Sequence, residues 1–405
     1  MITMRYYWLS LAVVLCGATA RAEDVPQFRG AGGLGVTAVK GLPLAWNDQD
    51  NVRWKAELPG RGLSGPVIAG GRVYLTACSG YNQTRLHVLC FDQKSGQKLW
   101  ERQIWATGGT LCHPKTNMAA PTPVTDGEHV YALFATGDLV CYNRKGDLLW
   151  YRSLVGDYPT VGNNVGMAAS PVLAGELLIV CLENVGESFA AGIERQTGVN
   201  RWRVDRPRGI NWVTPLVLQH QGKTEVVLQG PKDLTAYDPT TGQKQWSLTG
   251  HSFSTIPSPT VGAGTLFVPG DKFLAVRPGS TTEAPEVLWQ SPKLRPSYSS
   301  PLYHKGRVYT VAQAGIVTAA DAATGNVAWT YRLEGAFAAS PLWAEGRLYV
   351  VSEEGATTIL RDAGADCETL GTSTLKDKIL ASPVAAGDAL FLRSDSFLYC
   401  IGARN

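Results

Sequence analysis

Helical periodicity is nearly absent from this 405-residue chain beyond its first residues. That excludes helical solenoids and bundles as the main architecture. No apolar run after residue 22 is long enough to cross a bilayer as a helix, so no transmembrane segment is expected in the mature chain. No Pro/Ser linker and no run of like charge interrupts the sequence. The length alone suggests two or three domains, but this continuity points to one. Net charge is also scarce: 37 Lys+Arg stand against 34 Asp+Glu. There is no global pull toward nucleic acid, and no nucleic-acid partner is expected. Eight cysteines include no adjacent pair, no CxxC and no Cys/His ligand spacing. Cys112-His113 alone does not make a metal site, and none is expected.

What is present is repetition. Ala319-Ala320-Asp321 is followed by Thr324-Gly325 and Trp329. Ala236-Tyr237-Asp238 is followed by Thr241-Gly242 and Trp246, and Cys90-Phe91-Asp92 by Gly96 and Trp100. Degraded copies run from Gly192 to Trp202 and from Cys141 to Trp150. A second signal alternates with the first: prolines 66, 123, 171, 215, 259, 301, 341 and 383, spaced 40 to 57 residues apart, each open an apolar run, a turn and a second apolar run. Most of these turns contain Gly, as in Gly70-Gly71, Asp126-Gly127, Gly175-Glu176, Lys305-Gly306 and Gly387-Asp388, which suits tight hairpins. A period of roughly 40–45 residues with β-type runs is that of a four-stranded propeller blade.

Eight proline-led units are visible, but the last stops without a Trp strand. At the other end, Asn51–Leu58 is a Trp strand with no partners before it. The reading is an all-β, eight-bladed β-propeller of four-stranded antiparallel blades, closed by the N-terminal Trp strand joining the last blade. Closure would remove the sheet edges that an open array exposes. The seventh unit is the weakest: Arg361-Asp362 replaces the Asp turn and no Trp stands near Leu370, so seven blades are the alternative. The expected organisation is a signal peptide over 1–22, an N-terminal extension over 23–45 and a propeller over 46–405. The leader combines Arg5, an apolar stretch and Ala20-Arg21-Ala22, which predicts a periplasmic or secreted protein. Leu15 argues against a lipoprotein anchor at Cys16.

The pattern resembles the pyrroloquinoline-quinone (PQQ) repeat family of eight-bladed propellers over about residues 46–402, on the AxDxxTGxxxW turns quoted above. The resemblance implies that Trp54, Trp100, Trp150, Trp202, Trp246, Trp289 and Trp329 each dock against a neighbouring blade. That family includes quinoprotein alcohol dehydrogenases and non-catalytic members such as the propeller lipoprotein of the outer-membrane β-barrel assembly machinery. Pro26-Gln27-Phe28-Arg29-Gly30 and the segment from His113 to Pro123 look like segments of secreted PQQ-repeat proteins of planctomycete-type bacteria. In the dehydrogenases the resemblance implies a cofactor held between a Trp and a disulfide of adjacent cysteines, with a calcium ion and an Asp base. This chain has no adjacent cysteines.

The connections ahead of each proline should converge on the mouth of the central channel. They carry Arg61; His113, Lys115 and Asn117; Asn163 and Asn164; Arg206, Arg208, Asn211 and Trp212; His251; Lys293, Arg295 and Tyr298; and Lys376 and Lys378. Carboxylates there are few: Asp157, Asp205, Glu334 and Asp377. A cationic mouth follows, which would favour an anionic ligand or partner. Trp212 and Tyr298 occupy a slot, three residues before the proline, that is otherwise Leu63, Ala120, Ala168, Ile256, Ala338 and Leu380. Two rings there could form a stacking shelf or serve inter-blade packing. The functional expectation is a monomeric, non-catalytic binding scaffold with no cofactor, taking a protein, an anionic polymer or a small-molecule ligand. The alternative is a PQQ- and calcium-dependent alcohol dehydrogenase. Cys90, Cys141 and Cys400 share the slot held by Ala236 and Ala319, and Cys78 and Cys90 could form a cross-strand disulfide.

Overall fold

Eight antiparallel sheets of four strands each succeed one another along the chain in the computed structural model, which describes residues 24–47 and 49–403. The expected leader, with Cys16, lies outside the described residues. Seven blades are continuous, over 67–105, 124–153, 172–205, 216–249, 260–291, 302–332 and 342–374. The eighth takes three strands, Val384–Ala386, Ala389–Arg393 and Phe397–Ile401, from the C-terminal end, and its fourth, Val52–Glu57, from the other end of the chain. Trp54 pairs with Cys400 and Glu57 with Phe397 in an antiparallel register. The ring therefore closes as the orphan Trp strand implied, with eight blades.

The strand sequences explain the layering. Inner strands are short and apolar, as in Val67–Ala69. The two central strands of a blade are buried on both faces, as in Arg72–Ser79 and Arg85–Asp92. Only the outer strands alternate between exposed and buried positions, Lys98–Trp105 among them. Apolar clusters lie between adjacent blades, so each sheet is one half of two cores.

The Asp turn links the third strand to the fourth. Asp92 accepts bonds from the Lys94 and Ser95 N–H groups and from the Ser95 hydroxyl, and Asp238 and Asp321 repeat the arrangement. The turn then needs glycine. Gly96, Gly146, Gly198, Gly242 and Gly325 all have φ between 71° and 81°. A Cβ on Gly96 would also stand 2.5 Å from the Trp54 ring, and one on Gly325 would stand 2.6 Å from Trp289. Each indole lies over the turn of the next blade and donates Nε1–H to its backbone: Trp54 to Gln93 O, Trp100 to Arg144 O, Trp150 to Arg195 O, Trp202 to Pro239 O and Trp289 to Ala322 O. Trp329 reaches the Asp362 carboxylate of blade seven instead. Trp246 turns to Glu225 of its own blade while packing in the core shared with blade five.

The bond from the Ser95 hydroxyl, then that from its N–H, holds the Asp92 carboxyl below its usual range. A depressed folded pKa contributes stability above the unfolded value near 4, and that contribution is lost as pH falls. Asp92→Asn is expected to flatten the decline of stability below about pH 4 relative to the parent, read from denaturant midpoints across acidic pH. An identical acid profile in the two proteins would remove the turn carboxylate from the explanation.

Blade seven departs from the repeat in a specific way. Gly371 pairs with Ile359, the position at which Trp329 pairs with Ala319 in blade six. Glycine is required there because the N-terminal extension crosses it: a Cβ on Gly371 would stand 2.4 Å from Leu44 O. Trp46, directly after the extension, is buried in the core shared by blades seven and eight, and its backbone N–H donates to Ser373 Oγ at 2.8 Å. An indole from another part of the chain thus packs in the core that lacks the blade-seven Trp, with its Nε1–H unpartnered among the described residues.

The seven cysteines among the described residues are free thiols. Cys90, Cys141 and Cys400 do share one slot, opposite Trp100, Trp150 and Trp54. Burial pushes each of these thiols up to about 12. The Cys78–Cys90 disulfide is not formed. In the register of their two strands Cys78 faces Leu86 and Cys90 faces Tyr74, which leaves the two sulfurs several residues apart along the sheet.

Candidate functional site at the channel mouth

The channel interior is built from two positions of the repeat. Leu63, Ala120, Ala168, Trp212, Ile256, Tyr298, Ala338 and Leu380, one from each connection, line a cavity of about 260 Å³. These are the eight residues of the slot three before the proline. Trp212 and Tyr298 are therefore both cavity walls, and Trp212 is also tied to the neighbouring connection through Nε1–H to Gly166 O at 2.9 Å.

One turn of chain further on, the residue before each proline makes a second ring. Gly65 N donates to Thr122 Oγ1, and Thr122 N to Ser170 Oγ. The series continues through Thr214, Ser258, Ser300 and Ser340 to Ser382, with distances of 2.9 to 3.1 Å. This is the physical reason for the Ser/Thr-Pro signature: each hydroxyl accepts the backbone N–H of the preceding blade and locks one inner strand to the next. The ring has one gap, because Gly65 brings no hydroxyl to Ser382 N. A Cβ on Gly65 would meet Ser382 O and Thr122 only at ordinary contact distance, 3.7 Å and beyond. Gly65→Ser is therefore expected to close the ring and add about 0.5–1.5 kcal/mol of stability, measured by reversible denaturation. A loss of stability would mean that the gap is needed.

The far end of the channel is shut by the extension. Val25 pairs with Ile68 of blade one, and Thr125 of blade two donates to Pro26 O. Arg29 Nη2 donates to Pro301 O of blade six at 2.5 Å, and Gly35 and Thr37 bond Trp343 of blade seven. Phe28, held between these anchors, forms part of the cavity wall.

At the open end the residues expected from the sequence divide into groups. His113, Lys115, Trp212 and Tyr298 reach the cavity. Lys115 lies 5.5 Å from the Tyr298 ring centroid and forms an ion pair with Glu353 across the mouth at 2.7 Å. Arg61 pairs with Asp395 at 3.1 Å. Asn117 and Asn211 are buried scaffold: Asn117 Oδ1 accepts from Ala119 N, and Asn211 donates to Glu183 and to Gln229 O. His251 packs against Phe253. Asn164, Arg295 and Lys376 are exposed on the connections, with Arg295 bonded only to Pro292 O.

Sequence reasoning missed the carboxylates that meet these cations. Glu183, Glu353 and Asp395 lie on connections between the second and third strands, and Asp233 opens the third strand of blade four. Four alternating strands return those connections to the same face as the proline loops. Reading strand direction one step further would have found them. Arg206, counted as a mouth cation, is buried: Nε donates to Glu183 and Nη1 to Asp233, both at 2.7 Å. Burial raises the Glu183 carboxyl while Arg206 opposes that rise. This is an internal ion pair that braces blades three and four.

The calcium-assisted chemistry implied by the dehydrogenase branch does not fit these residues. Among the described residues no carboxylate lines the cavity, whereas Ca²⁺ takes about six to eight oxygen ligands, usually including carboxylates. Among the described residues, no group of three or more His, Cys, Asp or Glu stands close enough together to hold a metal ion.

With the geometry in hand, residues 22–215, 87–277 and 280–366 match the repeat family described as outer membrane protein assembly factor BamB. No curated protein matches the chain in sequence. BamB from Moraxella catarrhalis is similar over 86% of this chain and 96% of its own, at 16% identity and a TM-score of 0.63. Quinohemoprotein alcohol dehydrogenase from Comamonas testosteroni is similar over 96% of this chain and 82% of its own, at 11% identity and a TM-score of 0.71. The designed protein Ika8 is similar over 86% of this chain and 98% of its own, at 12% identity and a TM-score of 0.60. At such identities the likeness carries the fold, and one ring architecture serves an assembly factor, an oxidoreductase and a designed protein.

Proposed function

The chain belongs to the BamB-type PQQ-repeat family of β-propellers, and from that premise we propose that it is an extracytoplasmic, non-catalytic binding scaffold whose mouth face engages an acidic partner. The observation that carries this reading is the disposition of charge on that face. Arg61, Lys115 and Arg206 are occupied by carboxylates, while Arg208, Lys293, Arg295, Lys376 and Lys378 are exposed and have no ion-pair partner among the described residues. Exposed Asp271, Glu334 and Glu354 and half-buried Asp377, none of them ion-paired among the described residues, offset these cations only in part. Long-range attraction of this kind speeds encounter with an acidic surface and fades as salt screens it. No helix among the described residues is long and apolar enough to cross a membrane. The extracytoplasmic placement rests on the family and on the leader expected from the sequence.

The test uses poly-L-glutamate as the probe, with binding followed by fluorescence anisotropy at low and high salt. Arg295→Gln combined with Lys376→Gln is expected to weaken binding several-fold at low salt and leave the melting temperature nearly unchanged, because both side chains are exposed. Unchanged binding would sink the charge argument. Dye reduction with an alcohol that depends on added PQQ and calcium would overturn the non-catalytic reading.

A further inference from the structure

We propose that the channel behind the mouth, shut at its far end, is a binding site for a small carboxylate with an apolar body. The inference is independent of the surface reading above, since it concerns the interior of the ring and different residues.

The first ground is unused donors. Thr122, Ser170, Thr214, Ser258, Ser300, Ser340 and Ser382 all line the cavity and are all at least nine-tenths buried. Their oxygens each accept one backbone N–H, as described. A hydroxyl also carries a proton to donate, and no acceptor for these seven protons stands among the described residues. Thr116 Oγ1, which lines the same cavity and is 2% exposed, has no partner at all. A buried ring with spare donors and no spare acceptor charge is suited to an anionic oxygen.

The second ground is two buried guanidiniums without a carboxylate bonded to either. Arg29 follows the cavity residue Phe28. It donates to Pro301 O and Leu34 O, and its Nε and Nη1 have no partner. Arg393 lies behind the wall at blades eight and one, where it donates to Ser64 O and Thr76 O, and its Nε has none. The acid nearest to Arg393 in effect is Asp395, which is already paired with Arg61. Burial pulls Arg29 down to about 9 and Arg393 to about 10, so both remain charged at neutral pH. Positive charge held in a dry interior without a counter-ion is costly, and an anion in the adjoining channel would offset it.

The third ground is shape. The cavity volume of about 260 Å³ is just below the usual range for drug-sized ligands, roughly 300–1,000 Å³. Leu63, Ile256, Leu380, Trp212 and Tyr298 form its upper wall. The ligand is therefore small and largely apolar, with its carboxylate held among the Ser and Thr hydroxyls that line the cavity.

The experiment follows thermal stability of the mature full-length chain with benzoate, with the neutral isostere benzamide and with inorganic phosphate, at constant ionic strength. Benzoate is expected to raise the melting temperature in proportion to the logarithm of its concentration, as binding to the native state requires. Benzamide is expected to leave it unchanged. Thr116→Val, which keeps shape and breaks no existing bond, should weaken benzoate binding several-fold in calorimetry. Ala168→Met, which fills the cavity without touching a hydrogen bond, should abolish it. Arg295→Gln with Lys376→Gln should leave it intact, which separates this site from the surface reading. Equal stabilisation by benzamide would overturn the anion site, and equal stabilisation by phosphate would overturn the apolar body. No effect of benzoate, or an effect that survives Ala168→Met, would overturn the proposal as a whole.

Discussion

A chain that starts after Leu58 is expected to lose cooperative folding, with a melting temperature lowered by roughly 10 °C or more and with association into oligomers. The deletion takes away three separate supports. Blade eight loses Val52–Glu57, which leaves the Phe397–Ile401 strand as an unpaired edge. Trp54 leaves the Gly96 turn, so blades eight and one lose their indole dock. Trp46, Leu42 and Val39 leave the core between blades seven and eight, and Phe28 leaves the channel. Every blade already ends in an outer edge strand that is polar enough to face solvent, whereas the mostly buried Phe397–Ile401 strand is not suited to be one. Thermal melting together with size-exclusion chromatography reads the result. A monomeric product with the parent melting temperature would show that Val52–Glu57 is not what closes the ring.

Trp329→Ala is expected to cost about 3–5 kcal/mol in reversible denaturation, the range for deleting a large buried aromatic. Trp329 is 5% exposed and packs with Tyr309 of its own blade and Leu348 and Leu360 of blade seven. Its removal opens a cavity between two sheets rather than at a surface. It also leaves Asp362 without the Nε1–H donor, though Tyr309 OH still holds that carboxylate at 2.7 Å. Trp329→Phe separates the contributions, since it retains most of the packing and should cost nearer 1 kcal/mol through the lost hydrogen bond. Partly exposed Trp54 should be less sensitive to the same replacement by Ala. A cost below about 1 kcal/mol for Trp329→Ala would remove the indole series from the core.

The repeat made the fold legible because each blade is one supersecondary unit that must bury both faces against copies of itself. A defect in one copy therefore stands out. The absence of a Trp near Leu370 looked like a weak blade. It is instead the place where Gly371 admits the extension and Trp46 brings an indole into the same core, a contact made in space and invisible along the chain. The cationic mouth was legible only in part. Arg61, Lys115 and Arg206 were found from the proline loops, but the partners Asp395, Glu353 and Glu183 come from other connections of the same face. The Cys78–Cys90 bridge failed for a related reason: adjacency of strands says nothing about register, and register placed the two thiols opposite Leu86 and Tyr74.

By itself the sequence favoured eight blades over seven, identified the strand that closes the ring, pointed to the docking role of the indoles, and singled out a recurring slot that the structure places on the channel wall. All of these follow from local periodicity, and a strict repeat carries local rules into global geometry. Only the tertiary structure decided which charges remain free, that the extension seals one end of the channel, and that Ser and Thr before the prolines join into a hydrogen-bonded ring broken at Gly65. Each of these depends on residues far apart in the chain meeting at distances of a few ångströms, where desolvation and hydrogen bonding act and where no spacing rule along the sequence reaches.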